Sequence, residues 1–427
     1  MKLADGDGTE LTSFPLGGLG LLRLASVATL LVVVVLNGAF PSVRIGPFSF
    51  FDIHVFWIAG LLLAVYLLVH RTSIALSTPF VFVCLFVLYA VTTLFWTVDL
   101  GVSVRAGFHV VSSLIVVMGL SSLLRREDEY PLLSASFLAI VSIALLISFW
   151  ELWSGTHLPV SRLSAPPYAD EVATSSVYLN RNYFVFLLST AVPLATWSLL
   201  RNAPISGRLA ATAVLAASLG MILYNRGRAG LLASSLSFVA VVVLWQFREK
   251  IRLLVPTWPP ILTSSIGLVS AVTLLLPQVT SNPFSQSSSF SIWSRWQLLE
   301  IAGNTLLQQP LGYGIGTFQT AAAWSPVETG RIVSPHSWLA QLAGEVGVFG
   351  LCLFVLAYGT LVDQLFSLYL EGDDEYALPL CIALLSFGIG SIGVGDPLHS
   401  SRIFWVILGL GLSYLHVVGS NPEREPS

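Results

Sequence analysis

Apolar residues fill this chain in long runs, most of them about 18 to 22 residues, which is the length of a helix that crosses a bilayer. A backbone in lipid must satisfy its own hydrogen bonds, so such runs predict membrane-spanning helices. The sequence therefore predicts an all-α polytopic membrane protein with about 12 transmembrane helices and a single integral membrane domain, residues 1–427. The predicted spans lie near residues 22–39, 52–69, 79–96, 105–124, 131–151, 182–200, 208–224, 229–247, 260–278, 338–369, 377–395 and 402–418.

Two of these runs carry further information. Acidic residues, and no basic cluster, precede the first run, which favours a retained helix over a cleaved signal peptide. The tenth run, 338–369, is longer than a bilayer needs, so we expect it to tilt or to extend beyond the membrane.

Polar residues interrupt the pattern over two long stretches, 152–181 and 279–337, whose Pro, Ser and Thr content is typical of loops. Within the second, residues 292–309 have the mixed apolar and polar pattern of an interfacial helix, with Arg295 beside Trp296. Simple packing of the loop is the alternative. The glycines after Pro310 lack the strand and helix that frame a dinucleotide-binding loop, so they indicate a tight turn.

Basic residues in the short loops set the expected orientation. With a cytoplasmic N-terminus, the inside loops are consistently basic, holding Arg71, Arg125, Arg126, Arg201, Arg208, Arg248, Lys250 and Arg252. The same parity places both long loops outside, together with the short turn at 225–228. Arg226 and Arg228 are exceptions to the preference of basic residues for inside loops, so their presence in this outer turn needs another reason.

An anionic ligand would supply that reason, because the planar guanidinium fork matches a phosphate or pyrophosphate. Six arginines are predicted on the outer face: Arg162, Arg181, Arg226, Arg228, Arg295 and Arg331. The alternative for each is an arginine that only reaches lipid phosphate. A functional role is favoured over that alternative for Arg228 and Arg295. For Arg162, Arg181 and Arg331 taken singly, the alternative is at least as good.

His336 is the sharpest single candidate, because it lies just before the tenth span on the inferred outer face. Ser334 is placed to cap that helix. Gln341 and Glu345 follow on one helical stripe, which indicates a polar cavity entering the membrane. For Glu345, an interhelical pair with an arginine is favoured over a catalytic role.

Composition narrows the classes of function. Residues are 55% hydrophobic and 10% charged, with a mean hydropathy of +0.81, whereas soluble domains are roughly 25% charged. A net charge of -3 gives no sign of a nucleic-acid partner. Cys84, Cys352 and Cys381 lie in apolar runs, so neither a disulfide framework nor a zinc site is expected.

Three motifs together resemble the O-antigen ligase/polymerase superfamily of bacterial surface-polysaccharide enzymes. In that family an arginine precedes a helix of small residues, an Arg-Trp helix leads to a Pro-Leu-Gly-x-Gly-x-Gly-x-Phe turn, and a His-Asn pair precedes Glu-x-Gly. The matches here are Arg228-Ala229-Gly230, then Arg295-Trp296 with residues 310–318, then His336 with Glu345 and Gly347. Ser337 stands where asparagine is usual, and Leu339 is one position from the usual leucine. The motifs span about residues 220–360, and the helix count extends the resemblance over most of the chain.

The resemblance implies a C-type-like glycosyltransferase that needs neither a metal nor a cofactor, in the inner membrane with its active site facing the periplasm. The donor would be a glycan on undecaprenyl pyrophosphate or a related polyprenyl carrier. His336 would accept the hydroxyl proton, while Arg228 and Arg295 would neutralise the departing pyrophosphate. Substrate binding would involve Arg226, Arg181, Arg162, Arg331, Trp296, Gly314 and Glu345.

Lipid A core is the expected acceptor, as for a ligase, with membrane lipid as surroundings and no nucleic-acid partner. A polymerase that joins lipid-linked repeats is the first alternative. An exporter or flippase of lipid-linked glycans should instead show paired repeats and charges at the membrane midplane. A non-enzymatic assembly scaffold would tolerate alanine at His336 and Arg295.

Overall fold

The computed structural model describes residues 76–124, 126–164, 173–201, 204–254, 259–280, 286–329, 333–372, 376–391 and 398–419, together with residues 20, 27, 44, 45, 48 and 49. The predicted spans 22–39 (except residue 27) and 52–69 lie outside the described residues. So does Arg331.

Helices form nearly all of the described structure. They are α1 (Thr78–Thr92), α2 (Leu100–Leu123), α3 (Tyr130–Ser154), α4 (Arg181–Leu200), α5 (Ile205–Tyr224), α6 (Arg228–Leu254), α7 (Pro259–Val279), α8 (Gln286–Gln308), α9 (Phe318–Trp324), α10 (Trp338–Glu371), α11 (Ala377–Gly390) and α12 (Arg402–Gly419). Short 3-10 turns lie at Thr93–Phe95, Glu127–Glu129, Arg162–Ser164 and Leu398–Ser400. A pairing of Arg44–Ile45 with Phe48–Ser49 is the β-structure of the described part.

The predicted class, an all-helical polytopic membrane protein, is confirmed. Within the described ranges, nine helices are long and apolar enough to cross a membrane, and α11 is apolar but shorter. Each predicted span from residue 79 onward coincides with one of these ten helices. The total of about twelve spans stays a prediction. The long interruption at 279–337 contains α8, which coincides with the helix predicted at 292–309, and the short helix α9.

Helices α10 and α4 are each surrounded by several other helices. Helix α10 packs against α1, α7, α8 and α11, and α4 packs against α5, α6 and α11. Helix α12 packs mainly against α2. Helices α4, α10 and α12 are largely buried inside the protein, whereas α5, α6 and α7 leave most of their apolar surface uncovered, as helices facing lipid do.

Helix α10 is unusually long because it consists of two helical segments joined at a break. Its chain breaks at Gly347, where φ is 63° and ψ is −163°. A break exposes backbone groups that a membrane interior cannot satisfy. The turn after Pro310 fills the gap: Tyr313 N–H donates to Gly344 O (2.9 Å), Gly314 N–H to Glu345 O (2.9 Å), and Val348 N–H to the carbonyl of Pro310 (2.9 Å).

The tight turn predicted for the glycines after Pro310 is confirmed by their geometry. Gly312, Gly314 and Gly316 all have positive φ, a region that residues with a side chain rarely enter. A Cβ atom at Gly312 would also overlap backbone atoms of Glu345 and Gly347. We call this assembly of turn and broken helix, residues 310–316 with 344–348, the glycine junction.

Candidate anion-binding cavity

A cavity of about 670 Å³ lies where the start of α4, the start of α6, α8, the segment before α10 and the end of α11 meet. Five of the predicted site residues line it: Arg181, Arg226, Arg228, Arg295 and His336. The structure thus brings the α5–α6 turn and the polar interruption together, although about 70 residues of sequence separate Arg226 from Arg295.

The cavity has a strongly positive polar lining. Four of its lining residues are arginines, and the described residues around it include no Asp or Glu. Helices α4 and α6 begin at Arg181 and Arg228, so their N-termini add partial positive charge at the same place. Such an arrangement suits a phosphate-bearing ligand.

Close packing of α6 against α4 brings the arginines of the turn over the cavity. A Cβ atom at Gly227 or at Gly230 would overlap the side chain of Val185 on α4. Glycine at these two positions therefore allows the approach, as small residues do where membrane helices meet. The small-residue helix start noted in the sequence has this structural explanation.

Arg295 reaches the cavity from α8, which is held against the bundle by a buried stripe. Ser294, Leu298 and Ala302 on this helix are fully buried, and their four-residue spacing places them on one face. Arg295 itself is half-buried. Burial lowers the pKa of its guanidinium, and the neighbouring charge of Arg228 lowers the pKa further. Two guanidinium groups held together in this way favour an anion between them.

His336 also lines the cavity, and its φ of 44° lies in a region that residues other than glycine uncommonly adopt. Burial lowers the pKa of its imidazole to about 4, and the charge of Arg295 contributes to the decrease. The ring is therefore neutral at pH 7 and able to accept a proton.

Three buried polar atoms of the cavity lack a hydrogen-bond partner among the described residues: Ser294 Oγ, Arg295 Nε and His336 Nδ1. Buried polar atoms are nearly always paired in native proteins. Their meeting in one charged cavity indicates a place for a polar ligand.

Ser337, rather than Ser334, caps α10: its side chain accepts a hydrogen bond from Ala340 N–H at 3.5 Å. The expectation for Ser334 was wrong because α10 begins at Trp338, so its N-cap position is residue 337 and not residue 334. Serine and asparagine are both strong N-caps. The serine at position 337 therefore retains the capping role open to the asparagine usual in the family.

Other predicted site residues do not line the cavity. Arg162 is exposed in the 3-10 turn after α3. Trp296 is half-buried on α8, and Gly314 belongs to the glycine junction. Conversely, the lining includes Asn182 and Ser294, which the sequence analysis did not single out. Each adjoins an arginine at the cavity, and that adjacency is the one signal the sequence offered.

Glu345 belongs to a second polar cluster, which is separate from the cavity. Its carboxylate accepts from Gln341 Nε2 (3.1 Å) and lies 3.9 Å from His399 Nδ1. Backbone groups of Gly316 and Phe318 also hydrogen-bond to it. The favoured alternative of an interhelical pair with an arginine is replaced by a histidine neighbour, because the turn before α12 brings His399 next to Glu345.

Within the described ranges, no three His, Cys, Asp or Glu side chains are grouped so as to hold a metal ion.

The sequence is similar to known proteins in the region of these motifs. The O-antigen ligase family model matches residues 213–355, a range that includes the α5–α6 turn, Arg295, His336 and the break in α10. Over 422 residues the chain is 21% identical to the "Teichuronic acid biosynthesis protein TuaE" of Bacillus subtilis (strain 168), covering 93% of this chain and 85% of that protein.

The fold and these matches define an integral membrane protein of surface-polysaccharide biosynthesis. Both matches support the resemblance to the O-antigen ligase/polymerase superfamily that the motifs predicted. These matches support a glycosyltransferase-like enzyme for the transfer or polymerisation of lipid-linked glycans in a membrane.

Proposed function

We propose that the protein transfers a glycan from a polyprenyl pyrophosphate carrier to an acceptor hydroxyl at the outer face of the cytoplasmic membrane. The observation that carries the proposal is a cavity lined by four arginines and by a neutral, half-buried His336. The positive-inside pattern of the loops supports the outward orientation.

The lining of the cavity suits both ends of such a donor. Arginines and helix N-termini match the pyrophosphate. Val185, Leu232 and Ile389 give the same cavity apolar walls, which are compatible with the first isoprene units of a lipid carrier. A polyprenyl pyrophosphate is already an activated glycosyl donor, so the reaction needs no nucleotide.

The reaction follows from these positions. The acceptor hydroxyl oxygen forms a bond to the anomeric carbon, while the bond from that carbon to the pyrophosphate oxygen breaks. His336 takes the hydroxyl proton, a role worth roughly 10²–10⁴-fold in rate. The bonding electrons leave with the polyprenyl pyrophosphate, and Arg228 and Arg295 stabilise the negative charge that develops on it.

Two acceptors are compatible with this donor site. Lipid A core is the acceptor of a ligase. A second lipid-linked glycan is the acceptor of a polymerase. The donor chemistry is the same in both cases.

The test uses purified protein in liposomes with a lipid-linked glycan and, separately, each acceptor. We expect transfer to one of the two and a loss of at least about 100-fold for His336→Ala. Tyr358→Phe is the control, because it removes one buried hydrogen bond, to Leu384 O (2.7 Å), away from the cavity.

Two outcomes would defeat the proposal: no transfer by the wild type to either acceptor, or undiminished transfer by His336→Ala. Movement of unchanged lipid-linked glycan across the liposome membrane, without transfer, would instead support the exporter alternative.

A further inference from the structure

The turn between α5 and α6 places an arginine where this type of turn prefers glycine. Gly227 N–H donates to Ile222 O (3.1 Å), and Arg226 N–H donates to Leu223 O (3.0 Å). These two bonds define a Schellman motif, whose left-handed residue is usually glycine because a Cβ atom is strained there. Here that residue is Arg226, with φ of 52°. Surrounding structure must therefore hold the turn in place.

Asn225 provides a direct tie between this turn and the segment that precedes α4. Its Oδ1 accepts from the backbone N–H of Thr174 (2.9 Å), and its Nδ2 donates to Thr174 Oγ1 (3.1 Å). Ser148 Oγ on α3 donates to the same hydroxyl at 2.7 Å. Asn225 is 2% exposed and Thr174 is fully buried, so water does not compete for these bonds.

A buried carboxylate fixes the next two residues of that segment. Glu151, near the end of α3, accepts from Ser175 N–H (3.0 Å) and from Ser176 N–H (2.8 Å) through one oxygen. Ser176 is itself left-handed, with φ of 52°. His157 Nδ1 lies 3.3 Å from the other oxygen. The segment at 174–176 is therefore anchored to α3 independently of Asn225.

We propose that Asn225 is a positioning residue, which couples the anchored segment at 174–176 to Arg226 and so holds the Arg226 guanidinium at the cavity. The ligand named in the tests rests on the proposed function, but the coupling itself does not. Asn225 does not line the cavity, so it acts through Arg226 and not on the ligand.

An ordinary structural hydrogen bond would stabilise the protein without any special relation to Arg226. If Asn225 positions Arg226, two further effects are expected. Loss of the tie must loosen the turn in particular, and it must weaken binding only when the Arg226 side chain is present.

The first experiment measures hydrogen–deuterium exchange of the amides at 226 and 227 in the full-length protein. We expect Asn225→Ala and Thr174→Val to speed their exchange by about tenfold or more, the equivalent of one buried hydrogen bond. Thr174→Ser retains the hydroxyl and should restore protection. Tyr358→Phe removes an equivalent bond elsewhere and should leave these two amides unchanged.

The second experiment is a double-mutant cycle on the binding of farnesyl pyrophosphate. In the wild-type background Thr174→Val and Asn225→Ala should weaken binding by about tenfold, and in an Arg226→Ala background they should have almost no effect. Tyr358→Phe should have the same small effect in both backgrounds. Thr174→Val preserves side-chain volume, so it remains informative if Asn225→Ala does not fold.

Unchanged exchange at 226 and 227 would overturn the positioning role, as would equal binding losses in the two backgrounds. A wild-type protein that does not bind farnesyl pyrophosphate would count against the proposed function instead. In that event the exchange experiment still decides whether Asn225 holds the turn.

Discussion

Two polar regions interrupt this apolar bundle, the glycine junction and the anion-binding cavity, and both contain residues with left-handed backbones. In the glycine junction those residues are glycines, and the backbone groups of the broken helix are paired with the turn. In the cavity they are Arg226 and His336, and three buried polar atoms have no partner in the described part of the chain. The first region is relaxed and satisfied, whereas the second combines strain with unpaired groups.

That difference separates structure from function. A membrane protein must satisfy every backbone group at a helix break, so the glycine junction is accounted for by folding alone. Nothing in folding calls for a strained arginine, a strained histidine and several like charges around one cavity. Strain of this kind clusters at ligand-binding sites, so it supports the function proposed for the cavity.

The largest effect is expected for Arg295→Gln, which removes one charge from the cavity. Loss of one preorganised charge at a leaving group lowers kcat by roughly 10²–10³-fold. Thermal stability should stay level or rise, because the variant relieves repulsion with Arg228. Turnover of the lipid-linked donor and thermal unfolding would be measured together.

Arg295→Lys is the matched variant: it retains the charge without the planar fork and should recover activity only in part. If Arg295→Gln kept full activity, the functional explanation of the anion-binding cavity would be wrong.

Gly347→Ala tests the structural side. The left-handed conformation alone costs alanine roughly 1–3 kcal/mol, and the added Cβ would also overlap the carbonyl of Pro310. We expect lower thermal stability and a lower yield of folded protein, with specific activity maintained in the folded fraction.

Gly220→Ala is the control, since its Cβ would meet nothing within 4 Å in α5; it should stabilise the helix by about 0.5–1 kcal/mol. If Gly347→Ala were as stable as wild type, the interpretation of the glycine junction would be wrong.

Arg226 allows strain and function to be separated at one residue. Arg226→Ala and Arg226→Gly both remove the guanidinium, so both should weaken donor binding equally. Only glycine relieves the left-handed strain, and it should be about 1 kcal/mol more stable than alanine there. Chemical denaturation and donor binding of the two variants would be compared. Equal stability of the two would mean that the turn is not strained.

The smallest effect is a pH dependence set by His336. Its pKa is about 4 in the folded protein against 6.5 for a free imidazole, so the base form persists in mild acid and kcat/KM should decline only as the pH approaches about 4. The unfolded chain binds this proton more readily, so the contribution to stability is complete above pH 6.5 and is lost as the pH falls towards 4.

Arg295→Gln should move the acid limb of kcat/KM to higher pH, because the charge of Arg295 helps to lower the pKa of His336. The pH profiles of the residual activity of this variant and of the wild type would be compared. An acid limb that stays in place would show that another group sets it.

Much of the helical architecture could be predicted, because a membrane span is recorded locally in an apolar run. The break in α10 could not be predicted, because the apolar sequence around Gly347 is compatible both with a continuous helix and with a broken one. Its conformation depends on the turn at 310–316, a long-range partner. The same limit applied to Glu345, whose histidine neighbour arrives from the far end of the chain.

The sequence by itself determined the membrane class, the resemblance to the superfamily, and the placing of the arginine turn and His336 on one expected face. Apolar length, motifs and loop charge are properties of neighbouring residues. The tertiary structure decided which arginines share the cavity, leaving Arg162 outside while Arg181 lines it. It also decided that Gly314 and Glu345 belong to a satisfied structural junction, and that Arg226 and His336 are strained. These outcomes depend on packing between helices that are distant in sequence. The local sequence at one position does not specify which distant residues will pack against it.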